Sequence, residues 1–231
     1  PPDIVTWALE NVAPHRDFYN VDGSLAFRLD GQSLRFHNGG GPPFVYDLES
    51  GERRPATLKD VADMTRLLDA LPHVDVVVPL FGPQDVPPEL LSIASTAATL
   101  RNTRKPTSPA VPDKPEYVEY AVQMAAACCG GMEAYRERPS MSISVSPVSP
   151  LTFGAEITGA IMAVVASGSP FYPLPAPSMG ATSPITMAGA LAQQHAEVLA
   201  CLVIAAAVRP GAPVGYSSRI NRIDLRTAMS S

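Results

Sequence analysis

From residue 74 onward the chain alternates β-rich runs with helical ones, always in that order. VDVVVPLF (74–81), KPTSPAV (105–111), MSISVSPVSPL (141–151), SPFYPLPAP (169–177) and APVGYSS (212–218) read as strands. PPELLSIASTAATLRNT (87–103), KPEYVEYAVQMAAACCG (114–130), GAEITGAIMAVVASG (154–168) and SPITMAGALAQQHAEVLACLVIAAAV (183–208) read as helices. The strand starts, near 75, 107, 142, 170 and 213, recur about every 35 residues. Strand, helix, strand at this spacing specifies a parallel sheet, because parallel neighbours need a long crossover between them. No glycine fingerprint follows the first strand, which favours a TIM-type (β/α)8 barrel over a doubly wound sheet. Only about five βα units fit, so the expectation is part of a longer barrel whose three further units follow the C-terminus.

Residues 1–73 read differently and form the first of two expected domains, 1–73 and 74–231. PPDIVTWALENVA carries Ile4, Val5, Ala8 and Leu9 at helical spacing. Residues 18–56 change to an alternating pattern, with Leu25, Phe27 and Leu29 and then Leu34 and Phe36, and with turns expected at Asp30-Gly31 and Ser50-Gly51. This is a small antiparallel β segment. HNGGGPP lacks the helix that a phosphate cradle needs behind it and reads as a loop. TLKDVADMTRLLDAL is an amphipathic helix opened by a Thr57/Asp60 capping box. Its apolar stripe is Leu58, Val61, Leu68 and Leu71; Lys59, Asp63 and Arg66 face water.

Composition narrows the function classes. Hydrophobic residues make up 46% and charged residues 17%, so the chain has enough apolar surface for a core. A net charge of −5 and a pI of about 5.3 leave no basic footprint for nucleic acid. The apolar runs around 157–166 and 198–208 are shorter than a bilayer span, so a soluble protein without a membrane partner is expected. Cys128, Cys129 and Cys201 have no metal-ligand spacing, and their odd number suits a reducing cytoplasm. Residues 198–208 are apolar nearly all round and need cover from another element or subunit.

In a barrel the chemistry sits where strands hand over to helices. That rule selects Phe81 with Gly82, Pro83 and Gln84; Ser146 to Pro150, including Ser149; Ser178, Met179, Gly180, Ala181 and Thr182; and Tyr216, Ser217 and Ser218, followed by Asp224 and Arg226. The set is poor in acids, bases and nucleophiles. No serine sits in a nucleophile elbow, and His15, His37, His73 and His195 have no metal spacing. His195 falls about three turns inside its helix and reads as a packing residue away from the strand ends. Gln193 and Glu197, at i and i+4, read as an outer or lateral surface of that helix. Asp224 and Arg226 are the only opposed charges near a strand end; they serve either as a surface pair or as site groups. An uncharged, small and aromatic site suits chemistry supplied by a cofactor.

SPLTFGAEI, APSMGATSPITMAGALAQQHAEVLA, VRPGAPVGYSS and DLRTA, with FVYDLESGERRPATLKDVADMTRLLDAL and ERPSMSISVSPVSPL upstream, resemble the trimethylamine methyltransferase family over nearly the whole chain. The resemblance implies a TIM-type barrel with extra N-terminal elements. It also implies transfer of a methyl group from a small methylated amine to the cobalt of a corrinoid (cobalamin) carried by a cognate corrinoid protein. Some members carry pyrrolysine and act on trimethylamine; others lack it and act on quaternary amines such as glycine betaine. Members are about twice this length and are expected to be homo-oligomers. Two positions depart from the pattern: His195 stands where Asn is expected, and DLRTA ends in Ala228 where Gly is expected.

Granted the family, Phe81, Tyr172 and Tyr216 are expected to hold the cationic substrate on aromatic faces. Ser146, Ser149, Ser217, Asp224 and Arg226 complete the expected substrate lining. The turn Ser178–Met179–Gly180–Ala181–Thr182 is expected to let the corrin ring approach. No metal is expected on this chain. Two other classes remain open from the residues alone. One is a TIM-barrel lyase or aldolase, for which Lys59, Lys105 and Lys114 are poorly placed as Schiff-base groups. The other is an inactive partial barrel that serves as a binding module.

Overall fold

The computed structural model describes residues 1–13, 16–109, 111, 114–217, 219–227 and 229–230. His15, Ser218 and Ala228 lie outside the described residues. In chain order the elements are α1 (Pro2–Glu10), β1 (Arg16–Tyr19), β2 (Leu25–Leu29), β3 (Phe44–Tyr46), β4 (Arg53–Pro55), α2 (Leu58–Ala70), α3 (Leu91–Leu100), α4 (Pro115–Cys128) and α5 (Met132–Glu137). They continue with β5 (Ile143–Val145), α6 (Ala155–Ser167), β6 (Phe171–Pro173), β7 (Ser178–Met179), α7 (Met187–Val208), β8 (Asn221–Asp224) and β9 (Met229–Ser230). The fold is mixed α/β. It divides into two compact units: Pro1–Pro14 with Asp113–Glu116 and Ser144–Ser231, and His15–Pro112 with Tyr117–Ile143.

In the His15–Ile143 unit, β1 and β2 pair antiparallel with Phe18 opposite Phe27, their rings stacked at 4.7 Å. The turn between them is Asn20–Ser24, where Asp22 Oδ1 accepts the Ser24 N–H at 2.9 Å. Asp30-Gly31, expected to make a hairpin, instead follows β2 and leads to no paired strand. β3 and β4 pair antiparallel around Ser50-Gly51, with Gly51 at φ 72°. Helix α2 opens with the expected capping box: the Thr57 side chain accepts from Asp60 N and Asp60 accepts from Thr57 N. Arg54 grips the same Asp60 carboxylate through two nitrogens at 2.7 and 2.8 Å. That pairing holds the Asp60 carboxyl well below the usual carboxylate range. Val61 and Leu68 are buried as expected, and Thr65 joins them, whereas Leu71 is exposed because the helix has ended at Ala70. Val77, Thr107 and Met141 form parallel bridges in sequence order.

In the other unit, Leu174 N–H reaches Val145 O at 3.0 Å, and Phe171 bridges Val214 in parallel. β7 pairs parallel with β8, and β8 pairs antiparallel with β9. Helix α7 packs against α1 and α6, which supplies the cover that residues 198–208 require. Val198, Cys201, Leu202, Ala205 and Ala206 are buried there. α7 starts at Met187, not at Ser183, and its N-cap is Thr186, which accepts from Gly189 N at 3.3 Å. At 22 residues it is long and apolar enough to cross a bilayer by length and composition, contrary to the expectation from its apolar run alone. Within α7, however, Gln194 and Glu197 are buried and hydrogen-bonded to loops of the same unit, as in a core helix.

Among the described residues there is no closed barrel; the sheets have two or three strands. The five expected strands are present as β5, β6 and the bridges at Val77, Thr107 and Val214, and each unit keeps the parallel, sequential order. Proline explains the short ladders. Pro79, Pro106, Pro147, Pro173 and Pro213 flank the paired positions, and a proline has no N–H to extend a ladder.

Candidate active site at the strand ends

The strand ends of the Ser144–Ser231 unit converge on one face of α7. Glu197, 0% exposed, accepts Ser149 Oγ–H at 2.9 Å, Leu151 N–H at 2.9 Å and Gln193 Nε2–H at 3.1 Å. All three partners are donors, the set that a carboxylate satisfies. Gln193 also donates to Thr182 O at 2.8 Å, and Gln194, 1% exposed, donates to Ser217 O at 3.3 Å. The Ser217 hydroxyl in turn donates to Pro173 O. Three residues of one helix thus tether three strand-end loops: 149–151, 178–182 and 216–217.

Local sequence explains each loop. Gly180 takes φ +87°, a left-handed conformation open to glycine, and Ser178 N donates to the Thr182 hydroxyl at 2.9 Å, closing the turn. Ser183 Oγ and Asn221 Oδ1 flank this turn and have no partner among the described residues. The Tyr172 ring packs against Gly215, where an added Cβ would fall 2.4 Å from Tyr172 Cε1. The Tyr216 hydroxyl meets His195 Nδ1 at 3.0 Å, with the two rings 5.8 Å apart. Below this layer, burial and then the Glu197 carboxylate push the Cys201 thiol up to about 12.

The unit therefore gathers Ser146, Ser149, Tyr172, Ser178 to Thr182, Tyr216 and Ser217 near one end of its strands. Tyr216 is 57% exposed, and Tyr172 and Ser146 are half-buried. Phe81 belongs to the other unit. Asp224 does not pair with the Arg226 side chain; its Oδ1 accepts the Arg226 backbone N–H at 2.8 Å, and both residues are exposed. His195 is exposed but reaches a strand-end tyrosine, so it is not remote from the strand ends as its position in the helix suggested.

Gln193 and Glu197 do not form an outer face, and with Gln194 they are the residues that sequence reasoning missed. The signal was available. Ala190, Gln194, Glu197 and Cys201 fall at i, i+4, i+7 and i+11, the stripe that continues into buried Leu202 and Ala205. Two polar residues inside a buried stripe mark an internal hydrogen-bond network.

Among the described residues, no group of three or more His, Cys, Asp or Glu could hold a metal ion. Lys59 pairs with Asp63, Lys105 Nζ donates to the carbonyls of Leu68 and Leu71, and Lys114 pairs with Glu156. Each lysine is thus engaged by a partner within its own unit.

The family model described as Trimethylamine methyltransferase (MTTB) matches residues 2–230. Trimethylamine methyltransferase MttB of Desulfitobacterium hafniense (strain DSM 10664 / DCB-2) is 33% identical over 198 residues, covering 86% of this chain and 40% of that protein. Glycine betaine methyltransferase of Desulfitobacterium hafniense (strain Y51) is 30% identical over 204 residues, covering 88% of this chain and 42% of that protein. Trimethylamine methyltransferase MttB of Methanosarcina barkeri (strain Fusaro / DSM 804) is 32% identical over 177 residues, with 73% and 34% covered. The chain spans about two fifths of the length of the first two relatives. With the match running from residue 2 to residue 230, the chain belongs to the trimethylamine methyltransferase family.

Proposed function

We propose that this chain is part of a cytoplasmic, homo-oligomeric enzyme that moves a methyl group from a small methylated amine to the cobalt of a corrinoid carried by a partner protein. The observation that carries the proposal is the family match along residues 2–230, together with relatives named for trimethylamine and for glycine betaine. The parallel, sequential strand order within each unit supports a TIM-type barrel as the frame. The free state of all three thiols suits a reducing compartment.

When the corrinoid protein is docked, its cobalt supplies the nucleophile. The residues of this chain bind and aim the amine. A quaternary amine carries a fixed positive charge, and the faces of Tyr172 and Tyr216 suit it. Ser146 offers a hydroxyl to a polar tail on the donor, while Ser149 and Ser217, whose protons go to Glu197 and to Pro173 O, offer only their oxygen lone pairs; Asp224 and Arg226 are exposed and complete the proposed lining. The turn at Ser178–Thr182 is uncharged and narrow because Gly180 has no side chain, which suits close approach by a flat ring. The loops fix the donor so that one methyl lies in line with the acceptor, and exclusion of water from the cation assists the displacement.

The test is methyl transfer by the full-length protein that carries this chain, with trimethylamine and glycine betaine as donors and a corrinoid protein as acceptor, followed by cobalt absorbance. Transfer from at least one donor, diminished in Tyr216→Ala, is the expected result. Absence of transfer from every methylated amine tried removes the reading.

A further inference from the structure

We propose that Glu197 is a positioning residue that latches the 149–151 loop in its working shape and, through Gln193, couples it to the 178–182 turn; its link to turnover rests on the methyl-transfer reading above. Leu151 is the only non-glycine with positive φ among the described residues, at 51°. A bulky residue there is strained and persists only where its surroundings fix it. The fixing bond is visible: Leu151 N–H points into the Glu197 carboxylate at 2.9 Å, and Ser149 Oγ–H binds the other oxygen at 2.9 Å. The Leu151 side chain, 58% exposed, is thereby held outward beside the strand ends. The same Glu197 oxygen that takes Leu151 N–H also takes Gln193 Nε2–H, whose amide holds Thr182 O. A change at either loop is therefore felt at one carboxylate.

The role lies in hydrogen-bond geometry and not in net charge, so the conservative amide should replace it. In Glu197→Gln the remaining carbonyl oxygen still accepts from Leu151 and Gln193, while the new NH2 donates to Ser149 Oγ, a hydroxyl able to accept. In Glu197→Ala all three bonds are lost. Both variants are made in the full-length protein and read two ways. The first is hydrogen exchange of the Leu151 amide and of the 178–183 segment, which needs no substrate. The second is the kinetics of methyl transfer. In Glu197→Ala, Leu151 exchange rises at least about tenfold, the 178–183 segment exchanges faster, and kcat falls by up to about 10²-fold with a smaller change in KM. Glu197→Gln restores most of both.

Unchanged Leu151 exchange in Glu197→Ala overturns the latch whatever the kinetics do. Faster exchange with unchanged turnover overturns the link to catalysis. Equal defects in the Ala and Gln variants assign the effect to charge and overturn positioning. If the wild type transfers no methyl group, the functional reading falls and the exchange result still decides the latch. Should Glu197→Ala not fold, Ser149→Ala removes one of the three bonds from the loop side. It should speed Leu151 exchange several-fold, and no change there also overturns the proposal.

Discussion

Placing a methyl group on Gly215 should strain the aromatic floor of the candidate site by a calculable amount. The Cβ of an alanine at 215 would lie 2.4 Å from Tyr172 Cε1, 2.5 Å from Cδ1 and 3.2 Å from Cζ. Carbon pairs rest at about 3.5–4.0 Å, so the ring must retreat by about 1 Å or more. The backbone cannot yield instead, because Gly215 N–H donates to Phe171 O at 2.8 Å and Val214 bridges the same strand. Overpacking of this kind costs about 1–3 kcal/mol. Gly215 does not lie in the left-handed region, so alanine also recovers about 0.4–1 kcal/mol by restricting the unfolded chain. A net loss of about 1–2 kcal/mol is expected for Gly215→Ala, measured by urea unfolding. The decisive measurement is a double-mutant cycle with Tyr172→Ala. Removing the ring removes the clash, so the double variant should be more stable than the sum of the single losses by about 1 kcal/mol or more. Additive losses would falsify the claim that Tyr172 packs on this glycine. They would also free the tyrosine from the position in which a cation is proposed to meet it.

Other expectations rest on separate parts of the molecule. Asp60 is held well below the usual carboxylate range by Arg54 and by Thr57, so its stabilising effect is complete above the unfolded carboxylate range and is lost as pH falls through and below it; Asp60→Asn should flatten that acid limb of stability, and Thr57→Ala should cost about 1 kcal/mol at neutral pH. Cys201, with its thiol pushed up to about 12 by burial and by Glu197, should react with a thiol reagent at pH 8 only after denaturation, while exposed Cys128 reacts in the folded protein; equal rates would contradict the buried placement. Gly180→Ala should cost about 1 kcal/mol in urea unfolding because φ is +87°. The contact at Leu225 Cδ2, 3.2 Å away, adds little because that exposed side chain can swing aside.

How much of this could be read from the sequence depended on whether a signal was periodic or proline-coded. Helix α2 and its capping box were legible because Thr57, Asp60, Val61 and Leu68 sit at fixed helical offsets. The five strand positions were legible because short runs bounded by prolines recur between helical segments about every 35 residues. The ladders were not, since the prolines that bound those runs also remove the donors that would lengthen them. The 178–183 segment reads as a bare turn. Its pairing as β7 depends on a strand some 40 residues away, β8 at Asn221–Asp224, and no local period reports such a partner. The start of α7 was misplaced for a chemical reason. Ser183-Pro184 has the composition of a cap and first turn, but Thr186 supplies the cap and leaves Ser183 Oγ buried in the turn.

The candidate site was half legible for a related reason. The barrel rule finds loops by where strands end, and the loops of Ser149, Thr182 and Ser217 that it selects all lie in one unit and bond to α7. A rule of that form cannot find what holds loops together, because the holding groups sit inside the following helix. Gln193, Gln194 and Glu197 occupy positions where a helix in a core would ordinarily carry Leu or Ala. Replacing such residues with buried polar ones costs stability unless every polar atom is satisfied. The loops 149–151, 178–182 and 216–217 supply those partners, and in return each is held by a part-buried bond to the helix. A mouth of aromatic and small polar groups over a buried, fully hydrogen-bonded Glu197 is consistent with the proposed binding of a cation. Under the proposed function the cation would meet aromatic faces and small polar groups at the surface, while the Glu197 carboxyl below is committed to the loops.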